Sequence, residues 1–461
     1  MTAPLQISVD RAVTVPLTTQ IHGAIRDAIR DGRLTGGARL PSWRDLAAQL
    51  GVARGTVRAA YERLIDEQLI VGMGAAGTRV AAQAVAAAPD AGTSDTPPFA
   101  ELFHKFDSAP MPFQMGVPAQ DAFPITLWSR IMVRAARASA MVPVGYPDPR
   151  GLPELRHEIA AYLAIARGIR CTPAQILITG GFSGALGLAL RTLRLEGGTA
   201  WMEDPGFPLT RTALHLAGMK VAAVPVDAEG ADVSQAPVAA LAVVTPGQQA
   251  PLGVTMSLAR RLALLDWAKT SNAWIIEDDY LSELQLKGRA APALAALDRE
   301  GRVLHAGTFA KTISPTLRLG FLVVPPQLAS QFGTAAACLA PAPNSVVQRA
   351  VAEFMTAGHY LRHLRRMKRL YAARRDALVN HMGETATAGL AVRLTLPHGA
   401  NDVDIATRAL ALGLSPVPLS PWYAGQPQSH GLLLGVTNMV ERRIASDCVK
   451  LLGLIEGAVP G

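Results

Sequence analysis

Between residues 176 and 311 five short apolar runs each end in small or polar residues: ILIT before GGFSG, AWMEDPGF, LAVVTPGQQ, WIIEDDY and VLHAGTFAK. Such runs, alternating with helical patterns, predict an α/β domain with a largely parallel sheet, because each parallel crossover needs a helix-length connection. In an open sheet of this kind ligands bind beyond the carboxyl ends of the strands, so the five tails are expected to converge on one site. Leu152, Leu155, Ile159 and Leu163 recur at the spacing of a covering helix.

Each tail offers a different chemistry. GGFSG opens a helix, so the amides of Phe182, Ser183 and Gly184 form an anion seat suited to a phosphate. Phe207 follows a Pro-Gly turn and can stack on a flat ring. EDDY places two carboxylates at a strand end, which is costly unless one meets a cation such as a protonated pyridine nitrogen. Tyr280, two residues beyond Asp278, can donate to a ring hydroxyl. Lys311 is a poor nucleophile at an ordinary pKa of about 10.4, but desolvated among apolar strands and near Arg318 it would shift down and could form a Schiff base. An acid, an aromatic face, an anion seat and an amine together describe a pyridoxal 5′-phosphate site.

At 461 residues the chain is too long for one ordinary domain. A stretch of small, Pro- and Ser/Thr-containing residues near 81–98 reads as a linker, giving a first unit over 1–82, a linker over 83–107 and a second unit over 108–461. In the first unit Leu17, Ile21, Ile25 and Ile29 mark one helix face, ending near Asp31-Gly32. Ser42 and Asp45 have capping-box spacing for a second helix that Gly51 ends. A third helix runs through ARGTVRAAYERLIDEQ with Val57, Tyr61 and Leu64 inward. An apolar strand and a glycine-rich return complete a winged helix-turn-helix. Arg44, Arg54, Thr56 and Arg58 are its candidate DNA-contacting residues, and Gly77 would let the wing approach the DNA backbone closely. Residues 1–82 carry ten basic and seven acidic side chains, a net of only +3, so specificity has to come from placement.

The whole chain carries a net +8 and is 49% hydrophobic, yet no apolar run approaches the ~18 to 20 residues of a membrane span. A soluble cytoplasmic protein without a membrane partner is expected. Cys171, Cys338 and Cys448 lack C-x-x-C spacing, so they are expected to be reduced and buried, with neither a disulfide framework nor a metal site. Seven Lys or Arg and no acid fall within 362–375. That run reads either as the solvated face of a helix or as a second DNA-contacting surface.

LPSWRDLAAQLGVARGTVRAAYERL with GAAGTRV, then YPDPRGLPELR, EDPGF, VTPGQQAPLG, IIEDDYLSEL and GTFAKTISPTLRLGFLV occur in an order that resembles the MocR/GabR-type regulators. The resemblance covers nearly the whole chain. It implies a GntR-type winged helix-turn-helix joined to an α/β fold-type I domain like those of pyridoxal-phosphate-dependent transferases, with a mostly parallel central sheet and a small α+β C-terminal subdomain. It implies that Lys311 holds pyridoxal 5′-phosphate as a Schiff base, that Asp278 pairs with the pyridine nitrogen, that Tyr280 bonds the phenolic oxygen and that Phe207 stacks. Thr308, Arg318 and the Phe182-Ser183 amides would hold the phosphate, and Tyr146 would reach the phosphate of a neighbouring subunit, implying a homodimer. Two departures bear on activity. Ala250-Pro251-Leu252-Gly253 stands where aminotransferases have Asn-Pro-Thr-Gly, and HGLLLGVTN offers only Leu432 to Leu434 where many place an arginine for the substrate carboxylate. The expected function is therefore transcription regulation through an operator DNA and a small amine effector, or the cofactor itself. The alternatives are an aminotransferase with an appended module and a regulator that has lost the cofactor.

Overall fold

The computed structural model describes residues 7–82, 109–141, 145–234, 236–286, 288, 290–383, 385–397 and 399–458. The expected linker over 83–107 lies outside them. The chain forms two compact units.

In the first unit, α1 (Leu17–Arg30), α2 (Trp43–Leu50) and α3 (Arg54–Asp66) pack around Ile21, Ile25, Leu46, Val57, Tyr61 and Leu64. Ser42 caps α2: its hydroxyl accepts from the Asp45 amide at 3.1 Å and donates to the Asp45 carboxylate at 2.7 Å. Gly51 closes α2 in the left-handed conformation. Three short strands, β1 (Arg39–Leu40), β2 (Ile70–Gly72) and β3 (Thr78–Val80), form an antiparallel sheet with β3 central. This is the expected wing, with β1 as an extra strand.

The second unit is built on an eight-stranded sheet: β4 (Ile176–Thr179), β5 (Thr199–Asp204), β6 (Lys220–Asp227), β7 (Gly230–Ala231), β8 (Leu241–Val244), β9 (Trp274–Asp279), β10 (Val303–Thr308) and β11 (Gly320–Val323). Their order is β4-β11-β10-β9-β8-β5-β6-β7. The pairs from β10 to β6 are parallel, whereas β11 is antiparallel to both β10 and β4, and β7 to β6. Because β11 reverses twice, β4 runs with β10, and all five runs singled out in the sequence end on one edge. Leu155, Ile159 and Leu163 are buried on helix Pro153–Ala166.

A smaller antiparallel sheet, β12 (Thr385–Ala388), β13 (Ala391–Thr395), β14 (Val417–Pro418) and β15 (Gly431–Gly435), has the order β12-β13-β15-β14. One face, with Val392, Leu394, Leu432 and Leu434, joins the largest core. The opposite face, with Ala388, Ala391, Val417 and Leu433, packs with Trp422, Tyr423, Ala250, Met115, Phe207 and Tyr280. The basic run lies on helix His359–Met382 and divides. Arg374 and Arg375 are buried, Arg374 reaching the Asp121 carboxylate at 2.5 Å and the Thr437 carbonyl, while Arg362, Arg365, Arg366 and Arg369 are exposed. All three cysteines are free, but only Cys448 is buried; Cys171 is half-buried and Cys338 exposed, contrary to the expectation of three buried thiols.

The entering segment crosses β15 tightly: Gly435 donates to the Phe113 carbonyl at 2.7 Å, and a Cβ on Gly435 would lie 2.3 Å from the Gln114 carbonyl oxygen. Gly435→Ala is therefore expected to destabilise this unit by roughly 1–3 kcal/mol, the usual cost of overpacking; chemical denaturation of the two proteins side by side measures it.

Candidate functional site

Strand alternation sorts the three carboxylates that end β9. Glu277 and Asp279 point to one side of the sheet, where a buried charged cluster receives them. The Arg167 Nε donates to Asp279 at 2.6 Å, both side chains being almost fully buried. Glu277 accepts from the Leu294 and Ala295 amides at 2.7 and 3.0 Å and lies 2.9 Å from His305 Nδ1. Burial alone would raise the Glu277 pKa, but His305 and those amides hold it well below the ordinary carboxylate range. Burial likewise opposes the charges of Arg167 and His305, and the facing carboxylates outweigh it, so both pKa values are raised.

Asp278 points the other way and forms no hydrogen bond among the described residues. Burial, reinforced by the charge of Asp279, pushes its pKa up to about 8, while Lys311 pulls it down. Lys311 sits on the loop joining β10 to β11, half-buried, with its Nζ donating to the Gly116 carbonyl at 3.0 Å. Its pKa is lowered by burial, with Asp278 acting in the opposite sense. The expected share of Arg318 in that shift is not found. Arg318 is instead exposed, with φ 46°, and burial is the cause. Tyr280 is half-buried beside the same recess, and burial followed by the Asp278 charge moves its hydroxyl pKa far above the usual value.

Beyond β4, Gly181 adopts φ 79° at the N-cap of helix Phe182–Leu193. The first amides of a helix have no intrahelical acceptors, and the positive end of its dipole lies there. Gly320 on β11 packs against this turn: a Cβ at Gly320 would lie 2.9 Å from the Gly181 Cα. Phe182 is half-buried and Ser183 exposed. Thr308 is buried at the end of β10, its Oγ1 accepting from the Ala310 amide at 3.1 Å. Phe207 begins helix Pro208–Leu216 and tilts against Trp422 with ring centroids 5.6 Å apart. Tyr146 is fully exposed and belongs to no recess of its own chain.

The residues present suit pyridoxal 5′-phosphate. An acid whose side chain makes no hydrogen bond among the described residues, a phenol beside it, an amine that faces that acid and donates to a carbonyl, and a row of helix amides are the complements of a ring nitrogen, a ring hydroxyl, an aldehyde and a phosphate. Sequence reasoning missed Glu203, whose partners are far away in the chain. It is buried at the end of β5, where its carboxylate accepts from the Thr245 amide at 3.1 Å and the Thr245 hydroxyl at 2.5 Å, and burial pushes its pKa up to about 7. Thr245 in turn accepts from the Ala250 amide at 3.1 Å, so Glu203 shapes the Ala250-Pro251 loop.

In the first unit Arg44, Arg54 and Arg58 are exposed and Thr56 is half-buried. Arg58 is held by Glu62 at 2.8 Å, and Arg44 lies over the Trp43 ring, 4.9 Å from its centroid. Gly77 has φ 90°, a conformation that favours glycine, and faces the Arg39 side chain. Arg39 and Arg79, both exposed on the wing strands, also stand on this surface. Strands of two or three residues leave too little pattern to reveal them.

A winged helix and a cofactor-type strand-edge site on one chain define a DNA-binding regulator with an aminotransferase-like domain. The chain belongs to the MocR/GabR-type transcription regulators: residues 17–80 match the gntR family of bacterial regulatory proteins, and residues 116–397 match aminotransferase class I and II. It is 36% identical to the probable rhizopine catabolism regulatory protein MocR of Rhizobium meliloti, over 92% of this chain and 91% of that one. It is 33% identical to the transcriptional regulator TauR of Rhodobacter capsulatus, over 86% and 88%. Among solved structures it resembles a kynurenine aminotransferase of Pyrococcus horikoshii, with TM-score 0.69 and 26% identity over 77% of this chain and 93% of that one. No described helix is long and apolar enough to cross a membrane.

Asp278 and Glu203 give the site a pH signature. Their folded-state pKa values lie above the ordinary 3.8 and 4.5, so the folded state holds protons that the unfolded chain has released. Stability must then fall as pH rises from about 4 to about 8. Denaturation of the cofactor-free protein across that range should show the loss, and Asp278→Asn should flatten the slope. Added pyridoxal phosphate should stabilise most at the alkaline end, where Asp278 is ionised to meet the ring nitrogen.

Proposed function

We propose that the aminotransferase-like domain serves as a cofactor-bearing sensor that sets the DNA affinity of the winged helix. The carrying observation is that one chain presents an exposed recognition helix and also sets a partly buried amine, Lys311, against an acid whose side chain makes no hydrogen bond among the described residues, Asp278. The domain bounds that go with this reading are 1–82, a linker over 83–107 and 108–461. The setting is the cytoplasm, and the assembly is a homodimer in which Tyr146, exposed in its own chain, completes the neighbour's phosphate site.

When bound, pyridoxal 5′-phosphate supplies an aldehyde that a primary amine can capture and a ring whose absorbance reports that capture. Lys311 offers the resident amine, and its burial keeps a larger fraction unprotonated than an exposed lysine would have. Asp278 would hold the ring nitrogen in its protonated form, Tyr280 would donate to the ring oxygen and Phe207 would cover a ring face. The Phe182 and Ser183 amides, Thr308 and Arg318 would take the phosphate. An effector amine would compete with Lys311, and a difference in its affinity for two arrangements of the dimer would shift the DNA equilibrium. Arg54 and Arg58 would meet base edges or phosphates, with Arg44, Thr56 and Gly77 positioning the module on the backbone.

The purified protein should show an absorbance band above that of its aromatic residues, discharged by borohydride and missing in Lys311→Ala. A protein that stays colourless with added cofactor would refute the sensor. Its own upstream DNA should bind with a steep salt dependence, and Arg54→Ala should weaken that binding by roughly 1–3 kcal/mol if the side chain reads a base. Arg58→Ala should weaken binding less, because the free protein already pairs Arg58 with Glu62. Gel shifts across a salt series measure both.

A further inference from the structure

Lys311 donates to Gly116, and one helix holds the chain on both sides of that bond. Thr312, the residue after Lys311, is fully buried. Its hydroxyl accepts from the Tyr360 hydroxyl at 3.2 Å, and its carbonyl lies 2.8 Å from His363 Nε2. A carbonyl only accepts, so His363 carries its proton on Nε2 and donates. The other ring nitrogen, Nδ1, is buried without a partner among the described residues. Burial lowers the His363 pKa, the charge of Arg366 acts in the same sense and the Thr312 carbonyl opposes both, so the ring is neutral at pH 7.

The two donors are themselves fixed. Tyr360 meets the rings of Tyr162 and Phe309 edge-on, with centroids 5.5 and 5.9 Å apart, and His363 meets Phe123 and Phe354 in the same way at 5.5 and 6.2 Å. Edge-to-face contacts orient rings as well as bury them. Tyr360 and His363 lie three residues apart on helix His359–Met382, hence on one face. About three turns and roughly 16 Å further along the axis, the same face presents Tyr371 and Arg374. Tyr371 accepts from the Ala119 amide at 2.9 Å and Arg374 meets Asp121, so this end of the helix holds the segment that carries the Gly116 carbonyl. The acceptor is closely fitted: a Cβ on Gly116 would lie 3.0 Å from the Lys311 Nζ.

We infer that Tyr360 and His363 are positioning residues for Lys311, aiming its amine through Thr312, and that the helix bearing them sets where this amine stands between Gly116 and the cofactor. This rests on the sensor reading above and adds the residues that hold the amine in place. A held amine condenses with an aldehyde faster than a mobile one, because the geometry of attack is already set. The carbon–nitrogen double bond forms and the aldehyde oxygen leaves as water.

The test uses the full-length protein stripped of cofactor and then given pyridoxal phosphate in excess. The rate at which the Schiff-base band appears reports the placing of the amine. Affinity for pyridoxamine 5′-phosphate, which has no aldehyde, reports the rest of the pocket. His363→Leu and Tyr360→Phe should each slow the band roughly three- to tenfold, the usual effect of one hydrogen bond, and leave the pyridoxamine phosphate affinity as in the wild type. His363→Gln, whose amide nitrogen can reach the same carbonyl, should restore the rate. Thr312→Val should match Tyr360→Phe, and the double variant should be no slower than either. Unchanged rates, a parallel loss of both readouts, or a His363→Gln protein as slow as His363→Leu would overturn the inference while leaving the sensor intact. If His363→Leu does not fold, Tyr360→Phe and Thr312→Val decide the matter. A wild-type protein that forms no band would instead bring down the sensor reading, and this inference with it.

Discussion

The buried pair between Arg167 and Asp279 fixes what the rest of the site can be. Three consecutive acids at a strand end would repel one another and resist burial. The structure relieves this by giving Asp279 a guanidinium and Glu277 an imidazole and two amides, all on one side of the sheet. Asp278 alone is left on the other side, facing Lys311 and without a hydrogen bond to its side chain among the described residues. Without the cation behind the sheet, the acid in front of it would have no defined direction, and the amine of Lys311 would have no single counter-charge.

That sorting explains how legible the protein was from its sequence. The five strand tails were readable because a parallel strand buried on both faces is a near-continuous apolar run, and because each ends in small or polar residues. Ser42, Gly51 and Val57 were readable because capping and helical periodicity are local. Arg167 was not, since nothing in ARGIR distinguishes an arginine that crosses to Asp279 from a solvated one. Glu203 was hidden for the same reason. The thiol of Cys338 could not be placed either, as helix Ala329–Leu339 is apolar on more than its buried side. Register was the deepest omission, since which residues of β13 and β15 face each other follows only from the pairing of the two strands.

The two departures from aminotransferase pattern then look different from one another. The Ala250 substitution removes a side-chain contact, but the loop is still held in shape by Glu203 and Thr245, so the cradle survives with one fewer partner for the ring. The stretch from Leu432 to Leu434 offers only apolar side chains to both faces of its sheet.

The hydrogen bond from Lys311 to the Gly116 carbonyl has a further consequence. Gly116 lies in the stretch that enters the second unit after residues 83–108, and the same stretch is stitched down by Phe113 to Gly435, by Val117 to Thr437 and Asn438, and by Ala119 to Tyr371. The amine is thus one stitch in the seam by which the chain is fastened to the sensor. Whatever occupies that amine decides whether the stitch is made, so the covalent state of a single nitrogen bears on the packing of the first described turns of the second unit.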